Sequence, residues 1–321
     1  MTEQATPASP IEADIELYGA LVDKEPQKPP RSQWIDVWQQ FRKHKGAVFG
    51  GGFLLFITIA VLVRPYLWDV DPKALDIRNK NWRPVYQLLF DSEAKAGWAH
   101  PFGTDQLGRD IMAQMIAGGR VSMAVGWLAM GLALVIATPI GIWAAYRRGS
   151  VLDQGSITTA MLAASVPSFL TGLIFQRYLA TDLGWFPASG YGGAGAGFGT
   201  RMWHLVLPSI TLGITNSALI LRFTRASMLD ILGEDYVRTA RAKGMTERRV
   251  VLRHALKNAG IPIITVIGLT FALLVSGAVV TERVFNLPGM GNLVVNAVLR
   301  RDYPVIQGTL IVVAGLYVLV N

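Results

Sequence analysis

The chain has 321 residues, of which 51% are hydrophobic and 16% charged, and it carries a formal net charge of +8. A soluble domain usually has about 25% charged residues, so this composition disfavours a soluble enzyme. Disorder and collagen are excluded, because hydrophobicity is high and the 33 glycines follow no three-residue period. No cysteine occurs, which rules out disulfides, thiolate chemistry and Cys-based zinc sites.

Residues 1–46 precede the first apolar block, and their polar, proline-containing composition predicts a tail. No signal peptide is indicated, because the first apolar block begins only near Ala47. The end of this tail, Gln33–Lys45, is predicted to form a helix in the membrane interface. An amphipathic helix packed on protein is the alternative. The helix itself is predicted from three aromatic residues at helical spacing, Trp34, Trp38 and Phe41.

Six apolar blocks are long enough, or nearly so, to cross a bilayer, which takes about 20 residues. They are Ala47–Val63, Val121–Ala145, Ile157–Phe175, Leu205–Leu221, Ile261–Val280 and Val305–Val320. The prediction is an all-α integral membrane protein with about six transmembrane helices. Residues 47–63 form the first, 64–120 an outer (periplasmic) loop, and 121–321 a core with five more. The third block contains Pro167, whose freed carbonyl we expect neighbouring helices to satisfy.

Basic residues close to the spans predict the orientation. If the N-terminus is inside, three Lys or Arg lie in 33–46, two in 146–156 and nine in 222–260. The short outer loops 178–202 and 281–304 hold one and three. This imbalance predicts that both termini are cytoplasmic. The long loop 64–120 is also basic, but loops of that length report orientation poorly.

The segment Arg222–Gly260 is the most unusual part of the sequence, because acids and bases are interleaved in it. Two helical stretches are predicted on either side of a break at Gly244. Tyr236, Val237, Ala240 and the stem of Lys243 are expected to share one small-residue face. Such a face would permit the close approach of another protein surface. A solvated, positive-inside loop is the alternative on spacing alone.

Residues Asp235–Gly244 read DYVRTARAKG, and RHAL, NA and Pro262 follow. This segment resembles the membrane permease subunits of bacterial ABC importers, in the oligopeptide/dipeptide/nickel branch. The resemblance implies a coupling helix between spans 4 and 5 that docks in a groove of a cytoplasmic ATPase subunit. The general importer motif has Glu-Ala-Ala where this chain has Arg238-Thr239-Ala240, as the peptide branch usually does. The implied coupling residues are Asp235, Tyr236, Arg238, Thr239, Ala240, Arg241, Lys243 and Gly244.

A second match lies before the second span, where residues 100–110 read HPFGTDQLGRD. These importers contain two types of permease subunit, and residues 100–110 resemble an element of one type. The sequence from about Ala163 onward is similar to the other type. Thr104 or Asp105 is expected to cap a helix through Ile111 and Ile116 that runs along the membrane. Asp105, Arg109 and Asp110 are given a structural role and no chemistry. The family usually continues past the closing LVN, so either the chain is cut short or its last helix ends abruptly.

Other candidate sites are set aside on their context. Residues 190–195 satisfy G-x-G-x-x-G, but they lie in a glycine-rich loop, and a dinucleotide site needs a strand before the motif. The four histidines are far apart and no H-E-x-x-H occurs, which disfavours a metal site.

His254 and Asn258 share a helix face, for which a hydrogen-bonded structural role is expected. Glu282 and Arg283 are expected at the membrane interface, where they would form part of an outer gate.

Ionisable residues are nearly absent from the spans, which argues that the energy for transport arrives from outside the chain. No G-x-x-x-x-G-K-[ST] motif occurs, so ATP would be hydrolysed by a partner. Five hydroxyl residues would line a pathway or, alternatively, join helices to one another. They are Ser165, Ser168, Thr171, Ser217 and Ser276.

These observations predict a non-catalytic subunit of an ATP-driven importer for peptides or similar small solutes in the bacterial inner membrane. The chain itself would bind no cofactor, and ATP and Mg would sit on the partner ATPases. The expected partners are ABC ATPase subunits, a second permease subunit, an outer substrate-binding protein and membrane lipid. Nucleic acid is not expected, because the basic loops lack an aromatic platform. A membrane-embedded enzyme or scaffold without an ATPase partner is the alternative.

Overall fold

A computed structural model of the protein describes residues 71–89, 95–193 and 195–320, with isolated positions between 42 and 63. The chain divides into two units, Met1–Gly52 and Phe53–Asn321, and the second contains every element given below. The interfacial helix predicted near residue 40 and most of the predicted span 47–63 lie outside the described residues.

The described part of the chain is helical and contains no β-strand, only an isolated bridge between Thr104 and Asp110. The prediction of an all-α membrane protein is therefore confirmed. The principal helices are α1 Ile111–Tyr146, α2 Val151–Ser165, α3 Ser168–Phe175, α4 Phe198–Leu232, α5 Asp235–Ala242, α6 Leu256–Val284, α7 Met290–Arg300 and α8 Tyr303–Val320. The shorter pieces are 3₁₀ turns at Ile77–Asn79 and Val85–Leu89, one helical turn at Glu247–Arg249, and π-helical segments at Gln176–Asp182 and Val250–Ala255.

Small residues bring α1 and α4 together. Ala129 and Ala137 are fully buried on one face of α1. A Cβ on Gly213 of α4 would lie 3.0 Å from the carbonyl oxygen of Ala129. A Cβ on Gly141 would lie 2.9 Å from Cβ of Thr224. Small side chains of this kind allow membrane helices to approach closely. Residue numbers increase in both helices from the first contact to the second, so α1 and α4 run parallel.

Helix α6 runs opposite to α1 and α4, so the molecule has two distinct ends. The start of α1 meets the end of α6, where Ser122 contacts Glu282. At the other end, Ala145 of α1 shares an apolar cluster with Met228 of α4 and Ala259 of α6. We call these the Glu282 end and the Gly244 end. The predicted orientation would place the Gly244 end in the cytoplasm.

Three helical segments are long and apolar enough to cross a bilayer: Ile111–Tyr146, Phe198–Leu232 and Glu247–Phe271. The pair α2 and α3 makes a fourth if its two bent halves count as one span. The predicted last span falls within α8, of which Tyr303–Gly315 is apolar but shorter than a full crossing. Three or four of the six predicted spans are thus present in the described part of the chain, and the number six stays a prediction.

The predicted third span is broken. Helices α2 and α3 meet at an angle of 95° on either side of Val166 and Pro167. Val166 is extended, with φ −87° and ψ 124°. The proline ring disfavours the α-helical region for the residue before it, which favours a break at this position. The predicted third block is therefore two helices rather than one, and the expectation that neighbouring helices satisfy the carbonyl freed by Pro167 stays a prediction.

The segment before α1 is held by its own side chains. Asp110 caps α1, since its Oδ1 accepts a 2.6 Å hydrogen bond from the N–H of Ala113. The expectation that Thr104 or Asp105 is the cap is wrong, because the helix begins only at Ile111 and a cap must adjoin the first turn. Asp105 instead accepts hydrogen bonds from the backbone and side chain of Arg109. The helix expected to run along the membrane is simply the first part of α1.

Candidate functional site

The predicted coupling segment forms a short helix with a well-defined end. Helix α5 covers Asp235–Ala242, and Gly244 follows it with φ +77°. The N–H of Gly244 donates to the carbonyl of Arg241, and the N–H of Met245 donates to that of Ala240. This is the Schellman arrangement, which needs a left-handed residue and so favours glycine. The predicted break at Gly244 is confirmed, and its cause is this conformation.

The apolar face of α5 is turned inward. Val237 is fully buried and Ala240 is nearly so. Both pack in a small cluster with Val250, against which Ile231 and Met245 also lie. The expectation that Val237 and Ala240 form an open face for another protein is therefore wrong. Burial of these two methyl-bearing side chains fixes α5 to its own chain, and what it presents outward is the remaining polar face.

That outward face is charged and exposed. Asp235 and Arg238 form an ion pair one turn apart, at 3.5 Å, and both side chains are largely exposed. Arg241 forms a second pair with Glu247 at 3.0 Å. Exposed pairs of this kind contribute about 0–1 kcal/mol to folding. They therefore contribute little to the stability of the fold.

The segment that follows joins α5 to the spanning helix α6. Val250 contacts Val237 and begins the π-helical segment that leads directly into α6. Tyr236 is tied to α6 as well, because Asn258 Nδ2 donates a 2.7 Å hydrogen bond to its hydroxyl oxygen. The expected hydrogen-bonded role is therefore observed for Asn258. The same role is not observed for His254, because its Nε2 is buried and has no hydrogen-bond partner among the described residues.

A buried ion pair lies near the Gly244 end, and no local pattern in the sequence indicates it. Arg225, in the last turns of α4, holds Asp153 of α2 through Nε at 2.5 Å and Nη2 at 2.9 Å. The N–H of Gly149 donates to the same carboxylate at 2.9 Å. The Asp153 side chain is 2% exposed and that of Arg225 is 21% exposed. This two-pronged contact anchors the α1–α2 turn to α4.

The structure describes the side chains of four of the five predicted pathway residues. Ser165 and Ser217 donate to carbonyl oxygens of their own helices, at 2.8 and 2.7 Å. Such bonds satisfy each hydroxyl without a partner helix or a solute. Ser168 and Thr171 are half-buried. The side chain of Ser276 lies outside the described residues. Their role as pathway residues stays a prediction.

Glu282 lies inside the protein. Its side chain is 1% exposed, at the end of α6. The expected positions of Glu282 and Arg283 at the membrane interface, and their part in an outer gate, stay predictions. Its Oε1 accepts a 2.6 Å hydrogen bond from Ser122 Oγ, and Oε2 accepts one from the N–H of Asn292 at 3.0 Å. The carboxylate thus satisfies the first turn of α7, where free N–H groups favour a negative charge. Arg283 points elsewhere and donates to Asn292 Oδ1 at 3.2 Å.

Gly289 makes space for the Glu282 carboxylate, and Gly291 allows α7 to approach α6. A Cβ on Gly289 would lie 2.2 Å from the Glu282 carboxyl carbon, and one on Gly291 would lie 2.5 Å from Cα of Val279. Both distances are closer than atoms can approach. The Gly-Met-Gly-Asn sequence at 289–292 is therefore the signal in the sequence that could have revealed this buried contact.

The loop with the G-x-G-x-x-G pattern is not preceded by a strand in the described residues. Its first glycine, Gly190, has φ +83° and is bonded on both sides. The N–H of Gly190 donates to the carbonyl of Phe285 at 2.8 Å, and its own carbonyl lies 3.1 Å from Nδ1 of His204. The motif therefore builds a turn against the end of α6.

The fold and this site define a multi-pass helical membrane protein with a charged helix-turn at one end. Residues 137–321 match the family profile described as binding-protein-dependent transport system inner membrane component, and the chain belongs to that family. Residues 32–87 match the N-terminal TM domain of oligopeptide transport permease C. The protein is thus a permease of the peptide branch of ABC importers, and such permeases are not themselves catalytic.

Individual relatives support this placement. A probable peptide ABC transporter permease protein, y4tP, of Sinorhizobium fredii is 45% identical over 201 residues, which cover 63% of this chain and 64% of that protein. The glutathione transport system permease protein GsiC of Pectobacterium atrosepticum is 39% identical over 284 residues, covering 84% of this chain and 90% of the relative. A putative peptide permease protein of Brucella suis is 43% identical over 294 residues, covering 85% and 92%.

A solved structure shows the same fold. The methionine ABC transporter MetNI, in an inward-facing conformation, superposes with a TM-score of 0.55 at 17% sequence identity. The match covers 65% of this chain and 92% of the MetNI chain.

Proposed function

We propose that this chain is the transmembrane subunit that carries peptides or similar small solutes, glutathione among them, across the bacterial inner membrane. Its relatives bear names of peptide and glutathione permeases, and those names supply this solute class. Both termini lie in the cytoplasm, as the distribution of basic residues predicts. The partners are ABC ATPase subunits that bind ATP and Mg, a second permease subunit and an outer binding protein.

We further propose that Asp235–Gly244, the coupling segment, transmits ATP-driven movement of the ATPases to the spans. The observation that carries this proposal is the packing of Val237 and Ala240 on Val250. Because Val250 leads without a break into α6, a displacement of α5 must move α6 or break that cluster. The exposed side chains of Arg238 and Arg241 are placed to orient a partner surface. Alternating access would follow from movement of α6 against α1 and α4.

The test is to replace Gly244 by valine. A β-branched residue disfavours the left-handed conformation that ends α5, although the space around Gly244 is open. The variant is co-expressed with the ABC ATPase subunits proposed above. We expect solute-stimulated ATP hydrolysis to fall to its basal rate while membrane insertion and assembly persist.

Gly184→Val is the matched control. Gly184 also has a positive φ, +65°, and a Cβ added to it would meet no atom within 4 Å, but it lies in the loop before α4. The same backbone strain is thus introduced away from the coupling segment. Stimulated hydrolysis that is unchanged in Gly244→Val, or lost equally in both variants, would contradict the assignment of coupling to this segment.

A further inference from the structure

An open cavity of about 550 Å³ lies at the Glu282 end of the molecule. Its walls come from the segment before α1, the N-terminal part of α1, the glycine-rich loop before α4 with the first turn of α4, and the turn before α7 with the first turn of α7. The residues that carry the argument are Lys73, Arg120, Tyr191, Arg201 and Asn292. Asn292 connects the cavity to the Glu282 contact, since its N–H donates to the Glu282 carboxylate.

The charge of the cavity wall is of one sign. Lys73, Arg120 and Arg201 line it, and no aspartate or glutamate of the described residues does. None of these three cations forms an ion pair with any residue in the described part of the chain. The nearest acid in sequence, Asp71, accepts a hydrogen bond from the backbone N–H of Lys73 and is not part of the wall.

One of the three cations is positioned by an aromatic ring. The Arg201 guanidinium lies 5.8 Å from the centroid of the Tyr191 ring, within the range of a cation–π contact. This contact leaves the N–H groups of the guanidinium available for an oxygen ligand. Arginine presents its donors as a planar fork that matches a carboxylate. Three cations without an acidic partner on the described wall attract an anion into the concave space that they share.

We propose that this cavity binds the carboxylate of a small solute, such as the C-terminus of a short peptide, at the start of its passage. The inference rests on the proposed transport function, and it adds where the solute first binds and which chemical group of the solute is recognised. The volume lies within the range of about 300–1,000 Å³ that small-ligand sites occupy. A docked protein would instead cover about 800 Å² of surface on each partner, and the cations here line a concavity.

The experiment measures binding of trialanine to the full chain in nanodiscs of neutral phosphatidylcholine, so that anionic lipid does not compete. Trialanine with a C-terminal amide is the matched ligand, because it lacks only the carboxylate. Arg120→Gln and Arg201→Gln are the cavity variants. Arg177→Gln is the matched control: it removes the same charge from an exposed side chain outside the cavity wall, where Arg177 pairs with Asp182.

We expect the C-terminal amide to bind the unsubstituted chain about tenfold more weakly than trialanine does. Trialanine should bind each cavity variant about tenfold more weakly than it binds the unsubstituted chain, because in both cases a hydrogen-bonded charge pair is lost. Arg177→Gln binds as the unsubstituted chain does, and raising the salt concentration weakens trialanine binding more than amide binding. Equal binding of the two ligands, absence of trialanine binding, or equal effects of the cavity and control variants would overturn the proposal.

Two further results separate this proposal from its alternatives. If the cavity variants keep trialanine binding and lose only their association with the outer binding protein, the cations belong to a protein-docking surface and the small-solute assignment is wrong. The Gly244→Val test of coupling uses no cavity residue. If that test succeeds and carboxylate binding fails, the cavity proposal alone is overturned. If the ATPases do not associate with the chain at all, the transport function itself fails.

Discussion

Ser122 and Glu282 are 160 positions apart in the sequence, and Ser122 Oγ donates a 2.6 Å hydrogen bond to Glu282 Oε1 in the buried interior. The same serine oxygen accepts the N–H of Met290 at 2.9 Å. One side chain from α1 and one from α6 thereby hold the first turn of α7. The end of the spanning helix α6, the start of α1 and the wall of the cationic cavity are consequently linked through buried polar contacts.

The first prediction concerns this pair. Ser122→Ala and Glu282→Ala should each destabilise the protein, and the double variant should lose less than the sum of the two. We expect an interaction free energy of about 0.5–3 kcal/mol, the range found for residues that share one buried hydrogen-bond network. The measurement is a double-mutant cycle of unfolding in detergent micelles. Thr158→Ala, at an exposed site, replaces Ser122→Ala in the control cycle. Additive effects of Ser122→Ala and Glu282→Ala would show that the contact is not formed.

The second prediction concerns the close approach at Gly291. Gly291→Ala adds a methyl group at 2.5 Å from Cα of Val279, so the backbone of α6 or α7 must shift. Overpacking of this kind costs about 1–3 kcal/mol. Gly131→Ala is the matched control, because its Cβ meets no atom within 4 Å. Thermal unfolding followed by size-exclusion chromatography should show a lower transition for Gly291→Ala alone. A transition equal to that of Gly131→Ala would contradict the described packing.

The third prediction concerns the buried pair of Asp153 and Arg225. Arg225→Ala leaves an almost fully buried carboxylate without its two-pronged partner. We expect a loss of about 2–3 kcal/mol of unfolding free energy, with only partial recovery in Arg225→Lys, because lysine cannot form the planar fork. Arg222→Ala is the control, since Arg222 is exposed three residues earlier on the same helix. Full recovery by lysine would show that charge alone, without the fork geometry, accounts for the pair.

The fourth prediction concerns pH. Burial raises the pKa of the Asp302 carboxyl above its ordinary value, and the hydrogen bond from the N–H of Gln106 opposes this shift. The negative charge of Asp105 raises it further, and the positive charge of Arg109 lowers it. A raised pKa in the folded state means that folding favours the protonated form. The folded state therefore loses stability relative to the unfolded chain as the pH rises above the ordinary aspartate range.

Asp302→Asn removes that pH-dependent loss. The melting temperature of the variant relative to the unsubstituted chain should rise between about pH 4 and pH 7. Asp235→Asn, at a fully solvated position, should show no such trend. A difference that stays constant or falls with rising pH would mean that Asp302 is not held in a desolvated site.

Much of the candidate site is predictable because its signals are local. The break at Gly244 follows from one glycine after a run of helix-forming residues, and the family assignment follows from the neighbouring motif. The inward turn of Val237 and Ala240 is not predictable, because a short amphipathic helix looks the same whether its apolar face meets its own chain or a partner. Pro167 signals a disturbance of its helix, but only the packing decides between a tolerated kink and the observed 95° bend.

The sequence by itself determined that this protein is helical, lies in a membrane and belongs to the peptide branch of importer permeases. Those properties depend on apolar length and on contiguous motifs, which survive in any arrangement of the helices. Only the tertiary structure decided that Glu282 is buried against Ser122, that Arg225 holds Asp153, and that Lys73, Arg120 and Arg201 surround one cavity. These are contacts between residues far apart in the chain. Their energies arise from desolvation and close approach, which do not exist until the helices have packed.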